Sequence, residues 1–201
     1  MSNYYEKFYG YTGFFPILKE VREVSHTIEL RKLLSVLPNA GGSLFSRTGL
    51  VHGARLFILD DVVYNGHPTT AEHLEYEYLA VSLTFDGELE FLAEKLAEFG
   101  GEEFKSIFSH CYGYAKVELN AGSILKFLET GQVTTSFLYV EADGDLQETL
   151  RALLAQKLIT EMLAKAQFLN TADKRALVLE TADKIRSANL PLAGDFIEER
   201  N

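Results

Sequence analysis

Hydrophobic and polar positions in the stretch EYEYLAVSLTFDG alternate with a period of two. Leu79, Val81, Leu83 and Phe85 fall on one face, and Tyr78, Ala80, Ser82 and Thr84 on the other. Successive side chains of a strand point to opposite sides, so this pattern predicts a strand with one buried face and one small, hydroxylated face. VHGARLFILDD, ending at Asp60-Asp61, predicts a partner strand. VVYNGHPTTAEH between them reads as a loop, with Asn65-Gly66 and His67-Pro68 as turn signals. QVTTSFLYVEADG predicts a third strand, which again sets Thr134 and Ser136 opposite Val133, Phe137 and Tyr139.

Elsewhere the apolar positions recur at helical spacing. HTIELRKLLSVLPNAGG carries Ile28, Leu30, Leu33, Leu34 and Leu37 on one stripe, with Thr27 as the expected cap and Pro38 and Gly41-Gly42 as the stop. GELEFLAEKLAEFGG buries Leu89, Leu92, Leu96 and Phe99 and stops at Gly100-Gly101. NAGSILKFLETG is a shorter helix. A long one starts near Asp145, runs to about Asn170, and turns Leu146, Leu150, Leu153, Leu154 and Leu158 inward. A last helix lies in the tail before Pro191 and Gly194.

A weak internal duplication joins these elements. YLAVSLTFDGELEFLAEKL and TTSFLYVEADGDLQETLRAL both run strand, Asp-Gly, acid, Leu, then an amphipathic helix, with Asp86-Gly87 and Asp143-Gly144 57 residues apart. Two such units beside an antiparallel pair point to an α+β fold of the ferredoxin-like kind, with helices on one face of an antiparallel sheet. The other face needs a cover, which a second copy or a second chain would provide, and the space between the two sheets is a ready cavity. The chain divides into an N-terminal aromatic segment and helix (1–45), a ferredoxin-like core (50–165) and a C-terminal helical tail (166–201), within one domain.

Composition narrows the function. Lys and Arg number 19 against 29 Asp and Glu, a formal net charge of −10, which repels phosphate backbones and anionic membranes. The single cysteine forms no internal disulfide and fits a reducing, cytoplasmic setting. No apolar run reaches the ~20 residues that span a bilayer. The first fifteen residues hold seven of the 24 aromatics (Tyr4, Tyr5, Phe8, Tyr9, Tyr11, Phe14 and Phe15), broken by Gly10, Gly13 and Pro16. That predicts an irregular aromatic cover over the domain, or the wall of a pocket or partner interface.

Few residues suggest chemistry. Asp86 and Asp143, each placed before a helix, either cap its free N–H groups or hold a carboxylate at the sheet rim for proton transfer. His52 and Arg55 are three apart and face opposite sides of a regular strand unless Gly53 marks a bulge. Arg55, among Ala54, Leu56, Phe57 and Ile58, requires a carboxylate or an anionic ligand. In SIFSHCYGY, Cys111 reads as a small buried hydrophobe. His110, among Phe108, Tyr112 and Tyr114, reads either as a core histidine or as an axial ligand to a metal or haem. Zinc-finger spacing, His-Glu-x-x-His, the Walker loop, the dinucleotide glycine fingerprint and Gly-x-Ser-x-Gly are absent from the sequence.

The span from about 50 to 165 resembles the dimeric α+β-barrel superfamily, through uncharacterised bacterial proteins similar to its dye-decolourising haem peroxidases. The residues that carry the resemblance are His52-x-x-Arg55, Asp86-Gly87, Ser109-His110-Cys111-x-Gly113-Tyr114 and VTTSFLYVEADG. The resemblance implies a barrel of two ferredoxin-like sheets with a ligand in or beside it. In the peroxidases a Gly-x-x-Asp-Gly motif supplies a distal aspartate, an arginine assists it, and a histidine ligates iron. Here Leu83 stands at the first glycine position before Asp86-Gly87, and Val140 at that before Asp143-Gly144.

Three functional readings follow. The first is an enzyme or binder for a small hydrophobic molecule, haem-dependent if His110 ligates iron, with Arg55 stabilising negative charge and Asp86 carrying a proton. The second is a non-catalytic interaction module that uses the aromatic N-terminal segment. The third is a cofactor-free oxygenase or isomerase in the sheet cavity.

Overall fold

A computed structural model describes residues 3–19, 25–38, 42–63, 66–67, 70, 72–140 and 144–188. Among them lie four strands and seven α-helices, an α+β architecture. The strands are β1 (Tyr4–Tyr5), β2 (Phe8–Pro16), β3 (Val51–Leu59) and β4 (Tyr78–Asp86). They form one antiparallel sheet in the order β1-β2-β4-β3. Because β4 lies antiparallel to both β2 and β3, those two run in the same direction on either side of it. The connection between them carries α1 (His26–Val36) and α2 (Leu44–Arg47). After β4 come α3 (Leu89–Phe99), α4 (Gly101–Phe108), a 3-10 turn at Tyr114–Lys116, α5 (Ala121–Gly131), α6 (Leu146–Ala166) and α7 (Thr171–Ser187). Among the described residues no helix is long and apolar enough to cross a membrane.

The expected alternation in β4 is present, with Leu79, Val81, Leu83 and Phe85 all buried. Its partner in the sheet is the aromatic segment itself. Tyr9, Tyr11 and Phe15 of β2 pair with Phe85, Leu83 and Leu79, and join them in a core closed by Leu30, Leu92, Leu96, Phe104, Ile107, Ile124 and Phe127 from the helices. Phe15 stacks on Phe127 with centroids 4.9 Å apart, and Tyr9 stacks on Phe85 at 5.1 Å. The aromatic arm is therefore an inner strand rather than an irregular cover. Each aromatic contributes a large apolar area only when paired on a pleated face, and the strand register supplies that pairing. Gly10 fits because the side chain of Leu138 closes on its α-carbon, leaving a β-carbon only 2.8 Å from the nearest methyl.

Other expectations are corrected. QVTTSFLYV does not form a third long strand. Among the described residues it makes one bridge, Gln132 to Gly13, and a hydrogen bond from Val133 N–H to Thr12 O at 2.8 Å. Further along the same edge of β2, β1 already pairs with Phe8 and Tyr9, and Asn3 Oδ1 accepts from Thr135 N–H. The short hairpin occupies the edge that the segment would extend along. Phe137 and Tyr139 are left 84% and 60% exposed. Ser25 rather than Thr27 caps α1, Ile28 and Phe99 are exposed, and α4 begins at Gly101 where a stop was expected. In α6 the capping box Asp145/Glu148 is formed and Leu146 and Leu150 are buried, but Leu153 is exposed. Asn65, Pro68 and Asp143 lie outside the described residues.

Candidate functional site

The sheet face away from the core is arranged in cross-strand rows. Gly10, Thr84 and Gly53 form one, Thr12, Ser82 and Arg55 the next, and Phe14, Ala80 and Phe57 the third. Arg55 is exposed on this face with its guanidinium 4.9 Å from the centre of the Phe57 ring. The register shift between Val51 and Gly53 makes His52 a bulge residue, which turns its ring to the same side as Arg55. There it packs edge-on against Phe8 at 5.1 Å.

His52 then meets Asp86, with Nε2 donating to Oδ1 at 2.9 Å. The other carboxylate oxygen accepts from the backbone N–H of Leu146 at 2.8 Å, the first residue of α6. Asp86 thus serves a helix N-terminus, though not that of the helix following it in sequence: Glu88 caps α3 without a side-chain bond. The aspartate is only 13% exposed. Gln147 Nε2 donating to Gly49 O at 3.0 Å completes the attachment of α6 to this end of the sheet. These contacts explain Asp86 as a structural anchor joining elements sixty residues apart.

SIFSHCYGY sits at the opposite end. The backbone of Ile17 bridges Cys111, Leu18 N–H donates to His110 O at 2.9 Å, and Tyr112 N–H donates to Pro16 O at 2.8 Å. Gly113 makes the turn possible at φ +86°, a conformation that side chains disfavour. Cys111 is 2% exposed, and burial pushes its thiol up to about 12, so it is a core thiol rather than a nucleophile. His110 Nδ1 lies 3.1 Å from Nδ1 of His26, the first residue of α1. Burial, and then the neighbouring His26, lower its pKa below the ordinary histidine value, while Glu29 opposes the shift.

Arg55, Asp86 and His110 do not converge in one chain. Asp86 ends β4, and Tyr78, its first residue, pairs with Pro16 beside the His110 turn. Eight strand steps, roughly 27 Å, separate the two ends. Ser82, the partner of Arg55, is four steps or about 13 Å from Asp86. Both Asp86 oxygens are engaged, and Nδ1 of His110 is turned to another histidine. The residues present do not assemble a haem pocket with a distal acid and arginine.

Two cavities flank the His110 turn instead. One, of about 530 Å³, is bounded by Ile17, His26, Thr27, Arg31, Tyr76 and Glu77, with Arg31 paired to Asp60 and Thr27 bonded to Glu77 at its wall. The other, of about 610 Å³, is lined mainly by apolar groups from Leu18, Cys111, Tyr112, Tyr114, Val117 and Leu119, with Lys105 at its edge. Tyr114 is 7% exposed, and its ring packs against Phe127 at 5.5 Å. Its hydroxyl is the only buried side-chain nitrogen or oxygen among the described residues without a hydrogen-bond partner. Sequence reasoning placed Tyr114 among the aromatics around His110 and gave it no role of its own. Nothing in the spacing of a lone tyrosine reveals that its hydroxyl will be orphaned.

Comparison of the chain with protein-family models, with curated proteins and with solved structures finds no match.

Proposed function

We propose that this chain binds a small, mainly apolar molecule carrying one hydrogen-bond acceptor, in the cavity between Leu18 and the 111–119 segment. The observation that carries the reading is Tyr114, which lines this mainly apolar cavity and whose hydroxyl, closed off from solvent, has no hydrogen-bond partner. A buried O–H left without an acceptor costs about 1–3 kcal/mol, and in this reading a ligand carbonyl or ether oxygen displaces the wall that closes over it and relieves that cost. The volume of about 610 Å³ falls within the usual range for small-molecule sites, and apolar walls with very few polar groups are their usual composition. Burial raises the pKa of Tyr114, so the phenol stays protonated and donates.

The proposal includes a ferredoxin-like reading of the sheet. The order β2, helical crossover, β3, β4, helices, then a return of the chain to the outer edge of β2 at Gln132 and Val133 is the order that such a unit follows. In this reading a second copy covers the face carrying Arg55, Phe57 and Phe14. Binding, rather than haem chemistry, is the activity that these side chains support.

Aliphatic 2-ketones of seven to nine carbons are suitable probes. Calorimetric titration should show one saturable site per chain, weakened about fivefold or more in Tyr114→Phe, the worth of one neutral hydrogen bond. Equal affinity of the ketones for parent and variant, or no saturable binding, would overturn the proposal.

A further inference from the structure

We propose that His26 and His110 form a chelating pair for a divalent transition-metal ion, at a site separate from the apolar cavity. The two Nδ1 atoms are 3.1 Å apart. An ion bound to both at the usual imidazole distance of about 2.05 Å would subtend an angle of roughly 98°. That lies between the octahedral and tetrahedral values, so the spacing suits a chelate once each ring turns its Nδ1 lone pair from the other nitrogen toward the ion. Imidazole nitrogen suits zinc, copper and nickel, and the same pair offers little to magnesium or calcium, which take oxygen ligands.

The positions are fixed by separate parts of the fold. His26 is the first residue of α1, whose cap Ser25 accepts from Ile28 N–H. His110 is held by the hydrogen bond from Leu18 N–H to its carbonyl and by the Cys111–Ile17 bridge on its other side. The rings meet edge to face with centroids 5.4 Å apart. In the metal-free pair one ring must carry its proton on Nδ1 to make the hydrogen bond. Metal binding through both Nδ1 atoms moves that proton to Nε2 and releases none.

Among the described residues no group of three His, Cys, Asp or Glu side chains is spaced to hold a metal. Water must therefore complete the coordination shell. His26 lines the cavity of about 530 Å³, which has room for such waters, and Glu77 and Asp60 in its wall offset Lys19 and Arg31. The positive end of the α1 dipole weakly opposes a cation there, a small term beside two coordinate bonds.

The test is calorimetric titration of the full chain with zinc chloride, and copper electron paramagnetic resonance, on the parent, His26→Gln, His110→Gln and His52→Gln. The expected result is one zinc per chain, weakened about tenfold or more by either His26→Gln or His110→Gln and unchanged by His52→Gln. Copper should show hyperfine splitting from two nitrogens in the parent and fewer in either pair variant. Circular dichroism establishes that each variant is folded. Absence of zinc binding, or binding that survives loss of His26 and His110, would overturn the assignment.

Discussion

Asp86 separates a structural account of the sheet rim from a catalytic one. Replacing it with alanine leaves two groups without their partner: the N–H of Leu146 at the start of α6 and Nε2 of His52. Loss of a helix cap costs about 0.5–2 kcal/mol. A hydrogen bond to a charged group is worth about 1.5–3 kcal/mol. The two contacts share one carboxylate and do not add fully, so Asp86→Ala should destabilise the chain by about 2–3 kcal/mol. With a urea m-value on the order of 2 kcal/mol/M, the midpoint moves down by about 1 M at unchanged slope. Asp86→Asn retains one acceptor and should lose roughly half as much. A double-mutant cycle with His52→Ala should show coupling of at least about 0.5 kcal/mol, since the two side chains are in contact. Hydrogen exchange at the Leu146 amide should quicken in Asp86→Ala more than at core amides of β4. If Asp86→Ala unfolds within about 0.5 kcal/mol of the parent, the anchor account is wrong and a free rim carboxylate becomes the better description.

Removing residues 1–15 deletes β1 and nearly all of β2, so the truncated chain should lose its cooperative unfolding transition; a folded truncation would refute the inner-strand role. The buried thiol of Cys111, raised from near 9 to about 12, stays protonated in the fold while the unfolded thiol ionises. Stability should therefore hold below pH 9 and fall as pH rises from 9 toward 12, by up to roughly 1.4 kcal/mol per unit, and Cys111→Ala should remove that part of the slope. His110 shifts the other way: its folded pKa lies below 6.5, so the unfolded histidine takes up its proton first. Stability should fall as the pH drops from about 6.5 toward the folded pKa, and less steeply in His110→Asn; matching acid profiles would refute a half-buried, neutral His110. Without ligand, Tyr114→Phe should leave stability unchanged or raise it by up to about 1 kcal/mol, whereas a loss larger than that would mean the hydroxyl has a partner.

The sequence carried the parts of the fold that depend on local period. Leu79, Val81, Leu83 and Phe85 alternate without interruption and form the core face of β4. The α3, α5, α6 and α7 helices lie where their apolar spacing places them, and Asn120, Asp145 and Asn170 cap the starts of the last three locally. What escaped the pattern depends on partners distant in sequence. Gly10 and Gly13 in β2 read as breakers, yet Gly10 admits Leu138 and Gly13 the Tyr11 hydroxyl, which donates to Leu128 O. The 132–140 segment has the composition of a strand and lacks a free edge beyond the first few residues. Asp86 was legible as a helix cap, but the helix it serves starts sixty residues later. The bulge at His52 was anticipated as a condition from Gly53, and its consequence, the contact with Asp86, required the register of β3 on β4.

The most direct test of ligand binding beside Tyr114 is an isotope-filtered nuclear Overhauser experiment on labelled protein with unlabelled 2-octanone. The account predicts contacts from the ligand chain to Leu18, Val117 and Leu119, and from the methyl beside its carbonyl to the Tyr114 ring. Contacts confined to the Phe14, Arg55 and Phe57 face of the sheet, or none at all, would contradict it.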